Sequence, residues 1–278
     1  MKFFLCALLA ACGAGPSDRA PDSGNTGDGN GQNGDGCSDE AKAVYVVDQN
    51  NTLSRFDPPT KVFTDLGQLN CPATGFGATP FSMGIDRTAV AWVLYSSGEL
   101  FRVDTTSLNC TKSTWTSQAG LLQFGMGFST DAAGGSVDTL FIAGGSGPTQ
   151  PTSTLAKLST TTFQAQSVGS VQGWPELTGT GNAELWGFFP DATSPRIAKL
   201  DKMNGAALKT YPLTIAGMPT AWAFAFWGGD FWVFLMKGVE TSTTIYQYDA
   251  AGQLKSMKQA AGRTIVGAGV STCAPVIL

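Results

Sequence analysis

The 278-residue chain contains no histidine. That absence removes every Ser–His and Cys–His nucleophile and every His-ligated metal centre, since each needs an imidazole. Chemical capacity is left with the carboxylates, six cysteines and seven tryptophans. Two carboxyls facing each other across a bond could hydrolyse a glycoside. Paired thiols could cross-link the chain, and exposed indoles could stack on a sugar face or anchor a protein partner. Which of these is realised depends on the elements that carry the residues.

Those elements repeat. Aromatic-rich apolar runs centre on Tyr45, Trp92, Phe141, Trp186 and Trp232, at gaps of 47, 49, 45 and 46 residues. Each is followed by a short segment with a basic or amide residue at its third position, ending in Asp or Ser: 53–57, 100–104, 155–159, 197–201 and 245–249. Short strands at a fixed period in this range predict an all-β fold, a β-propeller with one four-stranded blade per repeat. The apolar runs are continuous, as expected of second strands covered on both faces by neighbouring blades. First strands are expected around Met83–Ile85, Met126–Phe128, Thr178–Gly181 and Ala223–Phe226. A fifth copy, Ile265–Ser271, has no strands after it, and the repeat beginning at Ala43 has no first strand. Pairing the two would close the ring and remove its open edge, giving five blades over residues 42–278; six blades is the alternative.

The candidate groups can now be placed. Asp86, Asp131 and Asp230 fall at first-to-second strand turns, and Glu176 precedes the fourth blade's first strand. These read as turn carboxylates accepting nearby N–H bonds, so no catalytic set and no enzyme is expected. Asp57, Asp104, Asp201, Asp249 and Ser159 end third strands in the same way. The bases two residues earlier (Arg55, Arg102, Lys157, Lys199) share a strand face with these acids and could pair with them. They lie too far from the axis to converge on one anion. Trp115, Trp174 and Trp227 fall near turns and, with Asp86, Asp131 and Asp230, are the possible ligand-rim residues. Trp222, Phe224 and Phe226 alternate along one strand face and read as core.

The amino terminus is a processing segment. Lys2 precedes a nine-residue apolar stretch, Phe3 to Ala11, too short to span a bilayer as a helix. Leu9-Ala10-Ala11-Cys12 resembles the bacterial lipobox, which implies a signal peptide over 1–11, lipidation at Cys12 and export. Gly13 in place of Asp implies outer-membrane sorting by the same resemblance. Residues 12–41 read as a flexible Gly/Asn/Asp-rich tether, because so polar a segment cannot bury enough surface to order itself. Residues 18–40 hold six acids and one base, leaving fifteen of each in 41–278. A neutral folded part has no footprint for nucleic acid. Asp28–Asp39 is only faintly like a calcium loop: Asn33 stands where Gly is required, Asp39 where Glu is, and no helix flanks it.

Cys37, Cys71, Cys110 and Cys273 remain after processing. An oxidising compartment favours disulfides, and of three connectivities Cys71–Cys110 with Cys37–Cys273 is favoured, the first across adjacent blades and the second across the chain's ends. No Cys-x2-4-Cys spacing exists, so no metal or cofactor is expected. The period resembles repeat propellers broadly. Leu140–Gly145 is similar to the double-glycine strand end of kelch blades, but the other repeats lack it, and none ends in the Trp-Asp of WD repeats. Five blades of this length are similar to a tachylectin-type lectin and to arabinan- and fructan-cleaving glycosidases. The expectation is a monomeric, lipid-anchored binding or scaffolding module at the cell envelope, with a protein or glycan partner. A carbohydrate-active propeller, lectin-like or hydrolytic, is the alternative.

Overall fold

Continuous apolar runs rich in aromatic and β-branched residues form central strands, and short Gly, Asp and Ser-rich segments turn them. A computed structural model of the protein describes residues 36–147, 150–215 and 217–277. The signal segment, Cys12 and the tether up to residue 35 lie outside the described residues. The first blade holds β1 (Val44–Asp48), β2 (Thr52–Asp57) and β3 (Val62–Gln68). The second holds β4 (Pro80–Ile85), β5 (Val90–Tyr95), β6 (Leu100–Asp104) and β7 (Cys110–Lys112). The third holds β8 (Gln123–Thr130), β9 (Asp138–Gly145), β10 (Thr152–Leu158) and β11 (Ala165–Gln172). The fourth holds β12 (Glu176–Gly179), β13 (Leu185–Phe189), β14 (Arg196–Leu200) and β15 (Ala207–Pro212). The fifth holds β16 (Pro219–Trp227), β17 (Asp230–Lys237), β18 (Thr244–Asp249) and β19 (Leu254–Gln259). The last strand, β20 (Ile265–Gly269), completes the first blade in the order β20-β1-β2-β3. Tyr45 lies opposite Gly269 and Val46 opposite Ala268, so the ring closes with strands from both ends of the domain.

Register explains the repeat. The central aromatic of each second strand faces the recurring polar residue of the third: Tyr45 with Arg55, Trp92 with Arg102, Phe141 with Lys157, Trp186 with Lys199, and Trp232 with Gln247. Arg102 lies 5.2 Å from the Trp92 ring centre and Arg55 5.8 Å from that of Tyr45. Among the described ion pairs, none of these bases pairs with the Asp two residues on; Lys199 pairs with Glu184 instead, at 2.6 Å. The strand-end acids make the turns: Asp104 accepts N–H bonds from Thr106 and Ser107, Asp201 from Met203, and Asp249 from Ala251. Ser159 does the same for Thr162.

On its inner side each central aromatic faces a small residue of the first strand: Gly269, Gly84, Gly127, Thr178 and Ala225. Small residues let neighbouring inner strands approach one another around the axis. A Cβ at Gly127 would sit 2.9 Å from the Thr178 Cα. Between blades the opposite side chains interlock, giving five apolar clusters, one per blade interface. Phe56 meets Trp232 and Phe234 edge-on, with centroids 5.4 and 5.3 Å away, which seals the first blade to the fifth.

Two boundaries differ from the sequence expectation. Residues 37–41, assigned to the tether by composition, belong to the folded body: Ala41 is fully buried, and the Ser38 N–H donates to the Arg87 carbonyl. The fourth blade's first strand runs Glu176–Gly179, two residues earlier than expected, because its pairing with β13 runs from Glu176 opposite Phe188 to Gly179 opposite Leu185.

Candidate functional site

The inner strands all end on one face of the ring, here the lower face, and all begin on the upper. The lower mouth is closed by the carboxyl-terminal tail. Cys273 is joined to Cys37, with Cα atoms 5.8 Å apart. The second disulfide, Cys71–Cys110, ties the segment leaving the first blade to the second. Across the lower mouth, Ser271 Oγ donates to the Ala41 carbonyl and Thr272 Oγ1 to Asp138, at 2.8 and 2.6 Å. Arg87 donates to Asp138 Oδ2 at 3.0 Å and to the Gly135 carbonyl at 2.6 Å, and its Nη1 lies 3.3 Å from Cys37 Sγ. Gly228 N–H donates to the Pro275 carbonyl. Tail residues or their direct partners thus come from blades one, two, three and five. Burial pushes the Asp138 carboxyl above its ordinary value despite Thr272 and Arg87.

The axis itself is filled. At the inner-strand layer nearer the upper face, the aligned residues are Gly267, Ser82, Gly125, Glu176 and Ala223. Glu176 is 2% exposed. Its Oε1 accepts a hydrogen bond from Ser82 Oγ and lies 3.4 Å from the Met126 N–H, so it links three consecutive blades. Burial pushes this carboxyl well above its ordinary value, since its partners are neutral. Burial thus favours the protonated form of this carboxyl relative to an exposed one.

The upper mouth is open. One position before that layer in each blade's sequence stand Val266, Phe81, Phe124, Pro175 and Trp222. Val266, Phe81 and Trp222 line a small cavity of about 190 Å³ over the axis. Trp222 also lines a groove of about 750 Å³ running outward across blades three to five, with Trp174, Met218, Asp191 and Arg196. Trp174 is fixed by its Nε1 bond to the Gln150 carbonyl at 2.9 Å. Arg196 stacks on Phe189 with 4.2 Å to the ring centre and donates from Nη2 to the Gln172 carbonyl at 2.6 Å. Asp191 Oδ1 accepts from the backbone and hydroxyls of Thr193 and Ser194, which hold its pKa down at about 2.

Of the rim residues expected from sequence, only Trp174 reaches this open site. Trp115 is 4% exposed and stands edge-on to Phe124 in the core between blades two and three, so it is not a rim residue. Trp227 lies at the lower end of β16, where its Nε1 donates to the Lys42 carbonyl and holds the amino-terminal segment. Asp86, Asp131 and Asp230 stand at the closed lower face, each in local bonding: Asp86 caps its turn and accepts from Trp92 Nε1, Asp131 accepts from Thr139, and Asp230 from Gln247 and Lys255. The structure does not bring these three acids together with the indole of Trp174. Trp222, assigned to the core by period-two alternation, is half-buried at the mouth; Phe224 and Phe226 are core as expected. Sequence reasoning missed Asp191, Arg196 and the axial place of Glu176. Counting back from each central aromatic's inner partner would have aligned Glu176 with four small residues. Among the described residues, no cluster of three or more Cys, Asp or Glu is placed to hold a metal ion.

Five four-stranded sheets in a ring, closed by a carboxyl-terminal strand, make the protein a five-bladed β-propeller. No family model matches the chain, and no curated protein matches it. Several solved structures are similar to it. One is a virginiamycin B lyase from Staphylococcus aureus (9% identity, 79% of this chain and 70% of that one, TM-score 0.43). Others are a protein of unknown function from Bacteroides caccae (11%, 82% and 97%, 0.45) and a quinonprotein alcohol dehydrogenase-like protein from Bacteroides thetaiotaomicron (10%, 82% and 66%, 0.44). Likeness at this level carries no inference about activity.

Proposed function

We propose that the protein is an exported, lipid-anchored binding module of the cell envelope that meets its partner through the upper face of the propeller. One observation carries this reading: the chain enters the domain at Cys37, on the closed lower face, while the groove and the mouth cavity open on the opposite side. A Cys12 anchor, implied by the lipobox resemblance, would therefore tether the lower face and leave the upper face free. Outer-membrane sorting rests on the same resemblance. The four cavities described are each lined by at most one carboxylate: Asp191, Asp138, Glu99, and none at the axis. Glycoside hydrolysis needs two facing carboxyls, so this geometry favours binding over hydrolysis.

Two measurements test the reading. Cys12→Ser should move the protein from detergent-dependent membrane fractions to the soluble exported fraction; unchanged membrane partitioning would exclude the anchor. A photo-crosslinking residue at Met218, 64% exposed on the upper face, should capture an envelope component in intact cells, whereas one at Val137, 65% exposed on the lower face, should not. Capture from Val137 alone would reverse the orientation.

A further inference from the structure

The side chains of the upper groove narrow its ligand. Trp174 is pre-positioned: besides the Nε1 bond to Gln150, its Cζ2 and Cη2 lie 3.2 Å from where a Cβ on Gly145 would stand, so the glycine makes its seat. A rigid indole loses little freedom on binding and offers a flat apolar face. Arg196 uses its guanidinium for one hydrogen bond and a ring stack, and among the described ion pairs it has none. Further N–H donors therefore remain for a ligand. Asp191 accepts its four bonds on Oδ1, leaving Oδ2 as an acceptor.

Three partner chemistries fit these groups less well. A peptide cannot add as a strand, because the groove lies at strand ends and three of its lining residues, Pro151, Pro190 and Pro219, have no N–H to offer. An anionic ligand drawn to Arg196 also meets Asp191, so the two formal charges offset. A purely apolar ligand would leave the guanidinium and carboxylate unpaired on binding, which is costly. An uncharged ring with an apolar face and a rim of hydroxyls meets each group with its complement.

We propose that the groove binds a neutral oligosaccharide, one pyranose ring stacked on Trp174 with its hydroxyls shared between Arg196 and Asp191. The site is single. The residues at the same sequence offset as Trp222 in the other blades are Val266, Phe81, Phe124 and Pro175, so the blades do not present five equal copies. This inference rests on the upper face being the binding face.

The test is calorimetric titration of the full chain, with tryptophan emission followed in parallel. The probes are neutral oligosaccharides of pyranose sugars (cello-, xylo-, malto- and chito-series), with an oligogalacturonate and a proline-rich peptide as competing chemistries. At least one neutral series should bind and perturb tryptophan emission. Trp174→Ala and Arg196→Gln should each weaken that binding by about tenfold or more, and affinity should change little between about 50 and about 500 mM salt. The proposal is overturned if no neutral series binds, if the oligogalacturonate or the peptide binds more tightly, or if both variants keep wild-type affinity. Should Trp174→Ala fail to fold, Arg196→Gln decides alone, since its side chain sits at the groove wall. Crosslinks from Met218 without saccharide binding would sink this inference and leave the upper-face reading standing.

Discussion

The two faces of the ring use the same residue types to opposite ends. On the lower face an arginine, Arg87, is spent inside the protein: a carboxylate, a backbone carbonyl and a disulfide sulfur surround it, and the tail lies over the mouth. On the upper face Arg196 has one backbone bond, one aromatic platform, and a groove in front of it. The tryptophans divide likewise, Trp227 bonding the amino-terminal segment from below and Trp222 lining both cavities above. A propeller closed by its own termini must spend polar groups where the ends meet. The face away from that junction is free to vary without opening the ring.

The largest effect should come from cutting the closure. Cys37→Ser or Cys273→Ser frees a 236-residue separation, for which chain entropy gives roughly 5 kcal/mol as an upper figure. Cys71→Ser, across 39 residues, should cost less, roughly 4 kcal/mol by the same argument. Urea titration orders the two, and hydrogen exchange should show amides of β20 and the tail losing protection only in the first pair. Equal costs would mean that the terminal clamp is not what closes the lower mouth. Each single variant should also release one new thiol on denaturation.

Next in size is the contrast between the arginines. Arg87 and Asp138 side chains are 13% and 8% exposed, and removing one partner of a buried pair costs about 3–5 kcal/mol. Arg87→Gln should therefore destabilise by several kcal/mol, whereas Arg196→Gln should cost less than about 1 kcal/mol, having no ion pair among the described residues to break. Thermal melts of the two variants measure the difference directly. Comparable losses would erase the distinction between a structural and a displayed guanidinium.

How much of this was legible in the chain follows the same divide. Blade count, ring closure by Ile265–Ser271 and both disulfide pairs were readable, because closure and packing impose the repeat. Tyr45, Trp92, Phe141, Trp186 and Trp232 recur since each must face a small residue inward and a long polar one outward. Trp115 and Trp174 could not be told apart: both are indoles near turns, and only the course of the inter-blade loop buries the first against Phe124. Arg196 and Asp191 are single departures from the repeat, and a reading built on what recurs passes over them. Glu176 was hidden by the two-residue offset of its strand.

Glu176 gives a smaller effect with a distinctive sign. A carboxyl whose pKa is raised by folding holds its proton in the native state while the unfolded chain releases it. The unfolded state then binds fewer protons, and stability falls as pH rises above the ordinary value of 4.5 towards the elevated native one. Glu176→Gln keeps an acceptor for Ser82 and Met126 and cannot ionise. It should raise the melting temperature at pH 7, with little change at pH 4, flattening that part of the profile. A loss of stability at pH 7 would mean that the carboxyl is ionised and paired at the axis.

A last contrast lies at the upper mouth, where Phe124 and Trp222 occupy corresponding positions on the inner strands of two blades. Phe124 is fully buried, so Phe124→Ala should cost about 3–5 kcal/mol in transfer and cavity terms. Trp222 is the larger side chain but is only partly buried, packed against the core between blades four and five on one side and lining the groove on the other. Its replacement by Ala should remove only part of a full burial, on the order of 1–2 kcal/mol. Size alone would rank the two the other way. If Trp222→Ala proves as damaging as Phe124→Ala, the indole is serving the core of the fifth blade; if it is the milder change, the upper mouth holds an aromatic that folding alone does not require.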